Sequence, residues 1–225
     1  MTTTSSITTP LRILIADDHD VMREGTRAVI EREEGWQVCG IATTGREAVT
    51  LASQLEPDIV IMDMTMPELN GLDAAVQIRR ALPRTEILMF TGHETDALIR
   101  EAFEAGVKSF ILKSEAHNFL VEAIESLARH KPFFTSGVSE ILFSNMLNRA
   151  EGSRDVTEPG QRVSTREREI VQLLAEGKSN KEVAETLGIS VRTAETHRAS
   201  ILRKLNLDSF ASLVRYAIRN KIIEP

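Results

Sequence analysis

Several features that would place this chain in other protein classes are scarce or missing. It has one cysteine, Cys39, so no disulfide forms within the chain, and a reducing compartment suits it. Aromatic residues make up only 4% of the sequence. No apolar run approaches the roughly 18 residues that a membrane-spanning helix needs. The first ten residues, MTTTSSITTP, lack the basic-then-apolar order of a signal peptide. These absences argue against a disulfide-stapled secreted domain and predict a cytoplasmic protein with no membrane partner.

Charge is distributed unevenly along the 225 residues. Residues 164–225 carry 11 Lys and Arg against 8 Asp and Glu, whereas residues 1–163 carry 16 against 25. An acidic part followed by a basic part indicates two domains with different roles. We predict a disordered tail over 1–10, a first domain over 11–130 and a second over 162–225. The segment 131–161 between them is predicted to be a linker with a helix at about 136–149.

The first domain alternates short apolar runs with segments of helical periodicity. The runs are continuous rather than alternating, which is typical of strands buried on both faces. Parallel strands need crossover connections, so this order predicts an α/β doubly wound, five-stranded parallel sheet. The predicted strands are 11–16, 36–42, 58–62, 86–90 and 108–112.

Four of the predicted strands end in residues suited to one kind of chemistry. Asp17 and Asp18 follow the first strand, Asp63 the third, Thr91 the fourth and Lys113 the fifth. In doubly wound sheets these carboxyl ends meet at one edge, where such folds bind ligands. Clustered carboxylates stay ionised when a cation such as Mg²⁺ lies among them. With Thr91 and Lys113 they would stabilise a phosphoryl group on Asp63, the predicted nucleophile. The alternative is that each acid is only a helix cap or a solvated loop residue.

Residues 11–130 resemble the receiver domain of bacterial two-component response regulators. The motifs that carry the resemblance are IADDH, IVIMDMTMPELNG, ILMFTGH and GVKSFILK. The resemblance implies that Asp63 is the phosphoacceptor for a histidine kinase and that Phe110 is the switch aromatic. It also implies the Mg²⁺ ligands, which are Asp18, Asp63, the backbone carbonyl of Thr65 and, through water, Asp17. Thr91 and Lys113 would bind the phosphoryl oxygens.

The second domain has clear helix boundaries in its sequence. Ser164 and Ser179 each precede a Glu by three residues, the spacing of a capping box, and Ser190 begins a third predicted helix. The short turn LGIS joins the second and third helices, which is the spacing of a helix-turn-helix. An all-α, four-helix domain is therefore predicted. The alternative is a small bundle with solvated faces and no ligand.

The third helix of this domain carries short and polar side chains near its start, where a recognition helix meets base edges. Glu195 would accept from a cytosine amino group, and Thr196 or Ala199 would contact a thymine methyl. His197 is expected to pack or to contact phosphate, because no second ligand lies at metal spacing. The predicted DNA-contacting residues are Lys178, Ser179, Asn180, Lys181, Arg192, Thr193, Glu195, Thr196, His197, Arg198 and Lys204.

Residues 162–223 resemble the LuxR/FixJ-type DNA-binding domain, and the whole chain resembles a NarL/FixJ-family response regulator. The resemblance implies a transcription factor whose phosphorylation controls dimerisation and binding to paired promoter half-sites. RNA polymerase is a further candidate partner. Such a protein is not an enzyme, apart from accepting and slowly hydrolysing its own phosphoryl group.

Two other functions are less consistent with the sequence. A Mg²⁺-dependent phosphohydrolase is disfavoured because Thr65, not an acid, stands two residues after Asp63, and no insertion would enclose a substrate. A receiver that signals without phosphate is disfavoured by the complete acidic set.

Overall fold

The computed structural model describes residues 9–92, 96–140, 143–144 and 163–223, with the backbone alone for Thr91 and 96–98. In the N-terminal domain, strands and helices alternate along the chain. The strands are β1 (Leu11–Ala16), β2 (Trp36–Ala42), β3 (Ile59–Asp63), β4 (Glu86–Thr91), β5 (Ser109–Leu112) and β6 (Phe133–Phe134). The helices are α1 (Asp20–Ile30), α2 (Gly45–Leu55), α3 (Gly71–Ala81), α4 (Asp96–Glu104) and α5 (Ala116–Ala128), with a 3₁₀ turn at Lys113–Glu115.

The strands form one parallel sheet in the order β2-β1-β3-β4-β5-β6. The predicted doubly wound class is confirmed, but the number of strands, five, is wrong. The sixth strand pairs Phe133 with Ser109 and Phe134 with Phe110, so the sheet extends into the segment predicted as linker. A strand of two residues is too short to show a periodicity, and only its pairing with β5 reveals it.

Each face of the sheet packs against its own set of helices, because successive strand residues point to opposite sides. Leu14, Val60 and Met62 belong to the core beneath α2, α3 and α4. Ile13 and Ile61 belong to the core beneath α1 and α5. All five side chains are at most 1% exposed, which explains the continuous apolar runs in the sequence. This packing places the carboxyl ends of β1, β3, β4 and β5 side by side along one edge of the sheet.

The C-terminal domain contains four helices, which are α6 (Thr165–Ala175), α7 (Asn180–Leu187), α8 (Val191–Lys204) and α9 (Phe210–Arg219). Ser164 and Ser179 cap α6 and α7 through reciprocal bonds with Glu167 and Glu182, as the spacing predicts. The turn before α8 begins with Gly188 at φ +63°, a left-handed conformation that favours glycine.

Between the two domains, residues 136–140 and 143–144 are helical. They begin the helix predicted at about 136–149, and the rest of that helix lies outside the described residues. Among the described helices, none has the length and apolar character required to cross a membrane.

Candidate functional site

Three carboxylates and one ammonium group meet at the carboxyl edge of the sheet. Asp63 ends β3, Asp17 and Asp18 directly follow β1, and Lys113 follows β5. The Lys113 Nζ lies 2.9 Å from Asp63 Oδ2 and 2.9 Å from Asp17 Oδ2. Asp17 and Asp63 are each 1% exposed. Thr91 ends β4 and pairs in the sheet with Leu112, so its backbone lies at the same edge.

His19 is a member of this cluster to which sequence reasoning gave no role. Its Nδ1 lies 2.9 Å from Asp18 Oδ1, 3.4 Å from Asp17 Oδ1 and 3.9 Å from Asp63 Oδ2. The His19 backbone N–H also donates to Asp17 Oδ1 at 2.9 Å. The sequence did contain a signal for its membership of the cluster, because His19 directly follows the two aspartates in IADDH. With its side chain 53% exposed, it covers the solvent side of the cluster.

Burial dominates the electrostatics of Asp63. Desolvation raises the pKa of its carboxyl to about 6, although Lys113 opposes the shift, and Asp17 and Asp18 add to it. Burial also disfavours the Lys113 ammonium, but Asp63 and Asp17 outweigh that effect and raise the pKa of Lys113. Lys113 therefore stays charged, and a further cation would favour the ionised form of Asp63.

The donor set fits a hard divalent cation. One oxygen each of Asp17, Asp18 and Asp63 and a nitrogen of His19 all lie within 4.8 Å of one another. Asp17 Oδ2 and Asp18 Oδ1 are buried and accept no well-aligned hydrogen bond from any described residue. Such buried oxygens without an aligned donor fit Mg²⁺, which prefers oxygen ligands and retains some of its water.

The aromatic position predicted to take part in switching is fully buried. Phe110, in β5, is 0% exposed. Its ring stacks on Phe134 of β6, with centroids 6.1 Å apart and planes 18° apart. The ring of Phe134 in turn packs against that of Phe103 in α4, with ring centroids 6.5 Å apart. The three rings therefore connect the sheet core to the surface of α4, where Phe103 is 42% exposed.

The segment that leaves Asp63, which we call the 64–70 loop, packs tightly against its surroundings. A Cβ at Gly71 would lie 1.7 Å from the carbonyl oxygen of Asp63, and a Cβ at Gly45 would lie 1.9 Å from that of Leu69. Both positions therefore require glycine for steric reasons. The Gly71 N–H donates to the carbonyl of Met64 at 2.8 Å, which closes the loop.

The C-terminal domain contacts this loop through α6. Gln172 and Glu176 bond to the loop backbone, and Lys178 lies 3.3 Å from the carboxylate of Glu68. The sequence analysis predicts the start of α6 at Ser164 but no contact between this helix and the first domain. The one available signal was Gln172, a polar residue inside the apolar run IVQLL.

A second group of contacts links α6 to α3 and α4. Arg168 pairs with Glu101 and lies 3.7 Å from Asp73, while Glu169 accepts from Gln77 at 2.7 Å. Burial raises the pKa of Asp73 to about 6, and Arg168 opposes the shift. The interface is therefore mainly polar and includes a buried ion pair.

The helix-turn-helix has an open outer face in this arrangement. In α8, Arg192, Thr193, Glu195 and Thr196 are exposed, while His197 and Arg198 are half-buried. The Arg198 guanidinium lies 5.8 Å from the ring centre of Phe210.

Of the residues predicted to contact phosphate, Lys181 and Ser179 are exposed, and Asn180 is half-buried. Lys178 faces Glu68, and Lys204 donates to Glu167 at 2.7 Å. Both lysines are paired with acids here and would have to exchange those partners for phosphates.

Comparison with known proteins gives matches over both domains. Residues 13–125 match the family described as response regulator receiver domain. Residues 161–217 match the family described as bacterial regulatory proteins, luxR family. The chain is 36% identical over 213 residues to transcriptional regulatory protein MctR of Rhizobium johnstonii, covering 95% of each chain. It is 34% identical over 213 residues to transcriptional regulatory protein LiaR of Bacillus subtilis, covering 95% of this chain and 99% of LiaR.

A solved structure is also similar over most of the chain. It is RcsB from Salmonella enterica serovar Typhimurium, bound to promoter rprA in the presence of phosphomimetic BeF3−. The TM-score is 0.58 at 25% sequence identity, covering 92% of this chain and 98% of RcsB.

Proposed function

Because the chain belongs to the response regulators in which a receiver domain is followed by a luxR-family domain, we propose that Asp63 accepts the phosphoryl group through which a histidine kinase controls promoter binding. The observation that carries this proposal is the meeting of Asp17, Asp18, Asp63 and Lys113 at one sheet edge. Lys113 Nζ lies 2.9 Å from carboxylate oxygens of both Asp63 and Asp17. The protein would act in the cytoplasm, where kinase output and promoters are both accessible.

The proposed chemistry is transfer of one phosphoryl group to a carboxylate. An ionised oxygen of Asp63 attacks phosphorus, the new P–O bond forms, and the donor leaves with the electrons of the bond that breaks. A bound Mg²⁺ would neutralise charge on the phosphoryl oxygens, with Asp17, Asp18, Asp63 and the carbonyl of Thr65 as its proposed ligands.

Lys113 has two roles in this scheme. Before transfer it lies beside Asp63 and favours the ionised carboxylate, which is the reactive form. After transfer its ammonium would bind a phosphoryl oxygen, and the Thr91 hydroxyl would bind another. Hydrolysis of the aspartyl phosphate by water would reset the site.

Phosphorylation would then act on the rest of the molecule through the neighbouring strands. Movement of Thr91 towards the phosphoryl group would change the packing of Phe110, which lies next to β4 and stacks on Phe134. The surface of α4 beyond these rings would change shape and favour a dimer. A dimer would present two helix-turn-helix units to paired half-sites about 34 Å apart or a multiple of that.

The C-terminal domain is proposed to read the major groove with α8. Exposed Arg192, Glu195 and Thr196 on its outer face support base contacts, and exposed Lys181 in α7 supports a phosphate contact. RcsB is a relative of known fold that is bound to a promoter.

The phosphoacceptor assignment is tested with phosphoramidate as a small phosphodonor in the presence of Mg²⁺. We expect the intact mass to increase by one phosphoryl group, and peptide mapping to place it on Asp63. Asp63→Asn should abolish the modification. Removal of Mg²⁺ with a chelator should also reduce it strongly.

Asp20→Asn is the matched control, because Asp20 lies nearby in sequence but its side chain is 86% exposed at the start of α1. This variant should be modified like the parent. Equal modification of Asp63→Asn and the parent would show that the phosphoacceptor is a different residue.

A further inference from the structure

One helix of the C-terminal domain binds the backbone of the 64–70 loop. Gln172 in α6 is 1% exposed. Its Oε1 accepts from the Asn70 N–H at 2.8 Å, and its Nε2 donates to the Met66 carbonyl at 2.7 Å. One turn later, Glu176 accepts from the Glu68 N–H at 3.0 Å. Two side chains therefore satisfy three backbone groups of the loop, and the contact depends on the conformation of that loop.

The same loop is tied to Asp63 from its other side. It begins directly after Asp63 and is followed by Gly71, whose N–H donates to the Met64 carbonyl. Gly71 approaches the Asp63 carbonyl so closely that no Cβ would fit. Helix α6 therefore rests on the chain segment that connects directly to the proposed phosphoacceptor.

A cleft of about 280 Å³ remains between the docked domain and this edge of the sheet. Asp18 and Thr65 line the receiver side of the cleft, and Ala175, Glu176 and Ile223 line the other side. Asp18 belongs to the acidic cluster and Thr65 lies two residues beyond Asp63. The docked C-terminal domain thus forms one wall of a cleft that reaches the acidic cluster at Asp18.

We propose that the docked C-terminal domain selects phosphodonors by size. A small phosphoramidate or acyl phosphate would reach Asp63 while α6 is docked, whereas phosphohistidine carried on a protein helix would reach it only after α6 leaves the loop. The inference rests on the proposed function, because it assumes that Asp63 accepts the phosphoryl group. The reaction is unchanged, since the P–N or P–O bond of the donor breaks as the P–O bond to Asp63 forms.

The position of α6 supports this selection. The cleft of about 280 Å³ admits a small donor, whereas phosphohistidine on a protein helix would bring that helix against the docked α6. A protein donor must also rest on the loops around Asp63, and the 64–70 loop is covered by α6. A small donor has neither requirement.

Gln172→Glu is the variant that opens this contact with least change in shape. The substitution replaces the Nε2 donor by a carboxylate oxygen that faces the Met66 carbonyl, 2.7 Å away, and Glu176 Oε1, 2.9 Å away. Repulsion disfavours the docked state, while the released state exposes an ordinary helical glutamate. Losing the bond to Met66 and adding this repulsion should shift the docking equilibrium by about 10- to 30-fold. Gln54→Glu is the matched control, because Gln54 is an exposed residue of α2, far from the interface.

Docking is measured first and without any donor, by hydrogen exchange of the loop amides. In the parent and in Gln54→Glu, the Glu68 and Asn70 amides should be protected, since they donate to the side chains of Glu176 and Gln172. In Gln172→Glu they should exchange about tenfold faster or more. Circular dichroism and thermal unfolding then establish that the variant is folded.

Phosphorylation is next compared with two donors, phosphoramidate and a helical peptide carrying one phosphohistidine. With phosphoramidate, the rate for Gln172→Glu should stay within about twofold of the parent. With the peptide, the rate should rise by about tenfold or more. In the parent, only the fraction of molecules with α6 undocked would react with the peptide, and this fraction limits the rate. Asp63→Asn in each arm identifies the site of modification.

Two results would overturn the size selection, both with faster exchange of the loop amides in Gln172→Glu. In the first, the phosphorylation rate changes equally for both donors. In the second, the peptide phosphorylates none of the variants. Unchanged loop exchange in Gln172→Glu would overturn the docking contact itself. Absence of Asp63 modification by phosphoramidate in the parent would instead overturn the proposed function, so the two failures are distinguishable.

Discussion

Replacing Gly71 with alanine should destabilise the N-terminal domain at the position of Asp63. The added Cβ would lie 1.7 Å from the carbonyl oxygen of Asp63 and 2.8 Å from its carbonyl carbon. An ordinary contact needs about 3.5 Å, so the end of β3 and the start of α3 would have to separate by roughly 2 Å. Both are backbone segments in a closely packed core and have little freedom to move.

The substitution changes the free energy of unfolding through two opposing effects. Overpacking of this kind costs about 3 kcal/mol, while replacing a helical glycine with alanine recovers about 0.5–1 kcal/mol. The net loss should lower the unfolding midpoint by several degrees, up to roughly 10 °C for a domain of this size. Gly25→Ala is the control, because Gly25 lies inside α1 and no atom comes within 4 Å of its added Cβ. That variant should be more stable than the parent.

Thermal unfolding followed by tryptophan fluorescence measures both variants. Trp36 in β2 is the only tryptophan of the chain, so its signal reports on the N-terminal domain. Gly71→Ala should also accept phosphoryl groups more slowly, because the shift displaces Asp63 from Lys113. A stability of Gly71→Ala equal to or above that of the parent would refute the close approach between α3 and β3.

Three further predictions follow from buried and exposed charges. Burial raises the pKa of Asp73 from 3.8 to about 6, so folding takes up a proton there and stability falls as pH rises from about 4 to 6. Asp73→Asn should therefore be more stable than the parent at pH 8, by up to about 3 kcal/mol in urea unfolding, with the difference shrinking towards pH 4; a constant difference would contradict the titration. Lys181→Ala should weaken binding to every DNA sequence and reduce the slope of log K against log salt by about 1, whereas Lys108→Ala in the N-terminal domain should not. Glu195→Ala should change sequence preference in a binding-site selection and leave the salt slope unchanged; a uniform loss of affinity would contradict base contact.

Much of the fold could be predicted because it depends on local patterns. Continuous apolar runs indicate strands covered on both faces, and the serine–glutamate spacings at Ser164 and Ser179 indicate helix starts. Both signals can be read within a few consecutive residues. The two-residue strand at Phe133 had no such pattern, since its strand pairing is with β5, more than twenty residues earlier.

The residues of the acidic cluster could also be named from the sequence, because the topology of a doubly wound sheet brings strand ends to one edge. Membership of the response-regulator family, which the motifs suggested, is confirmed by the matches over both domains. The adjacency of His19 and Asp18 in IADDH indicated that His19 could join the cluster, but not that its Nδ1 would lie 2.9 Å from Asp18 Oδ1. That distance depends on how the chain turns between β1 and α1.

The sequence by itself determined which side chains could form a phosphorylation site and which helices could form a DNA-reading unit. Their residue types and spacings are local properties that survive without knowledge of the rest of the fold. Only the tertiary structure decided that α6 of one domain binds the backbone of the 64–70 loop in the other. Gln172 and Asn70 are separated by 102 positions. Backbone groups of a loop leave no trace in residue type, so only the folded chain shows that they are bound.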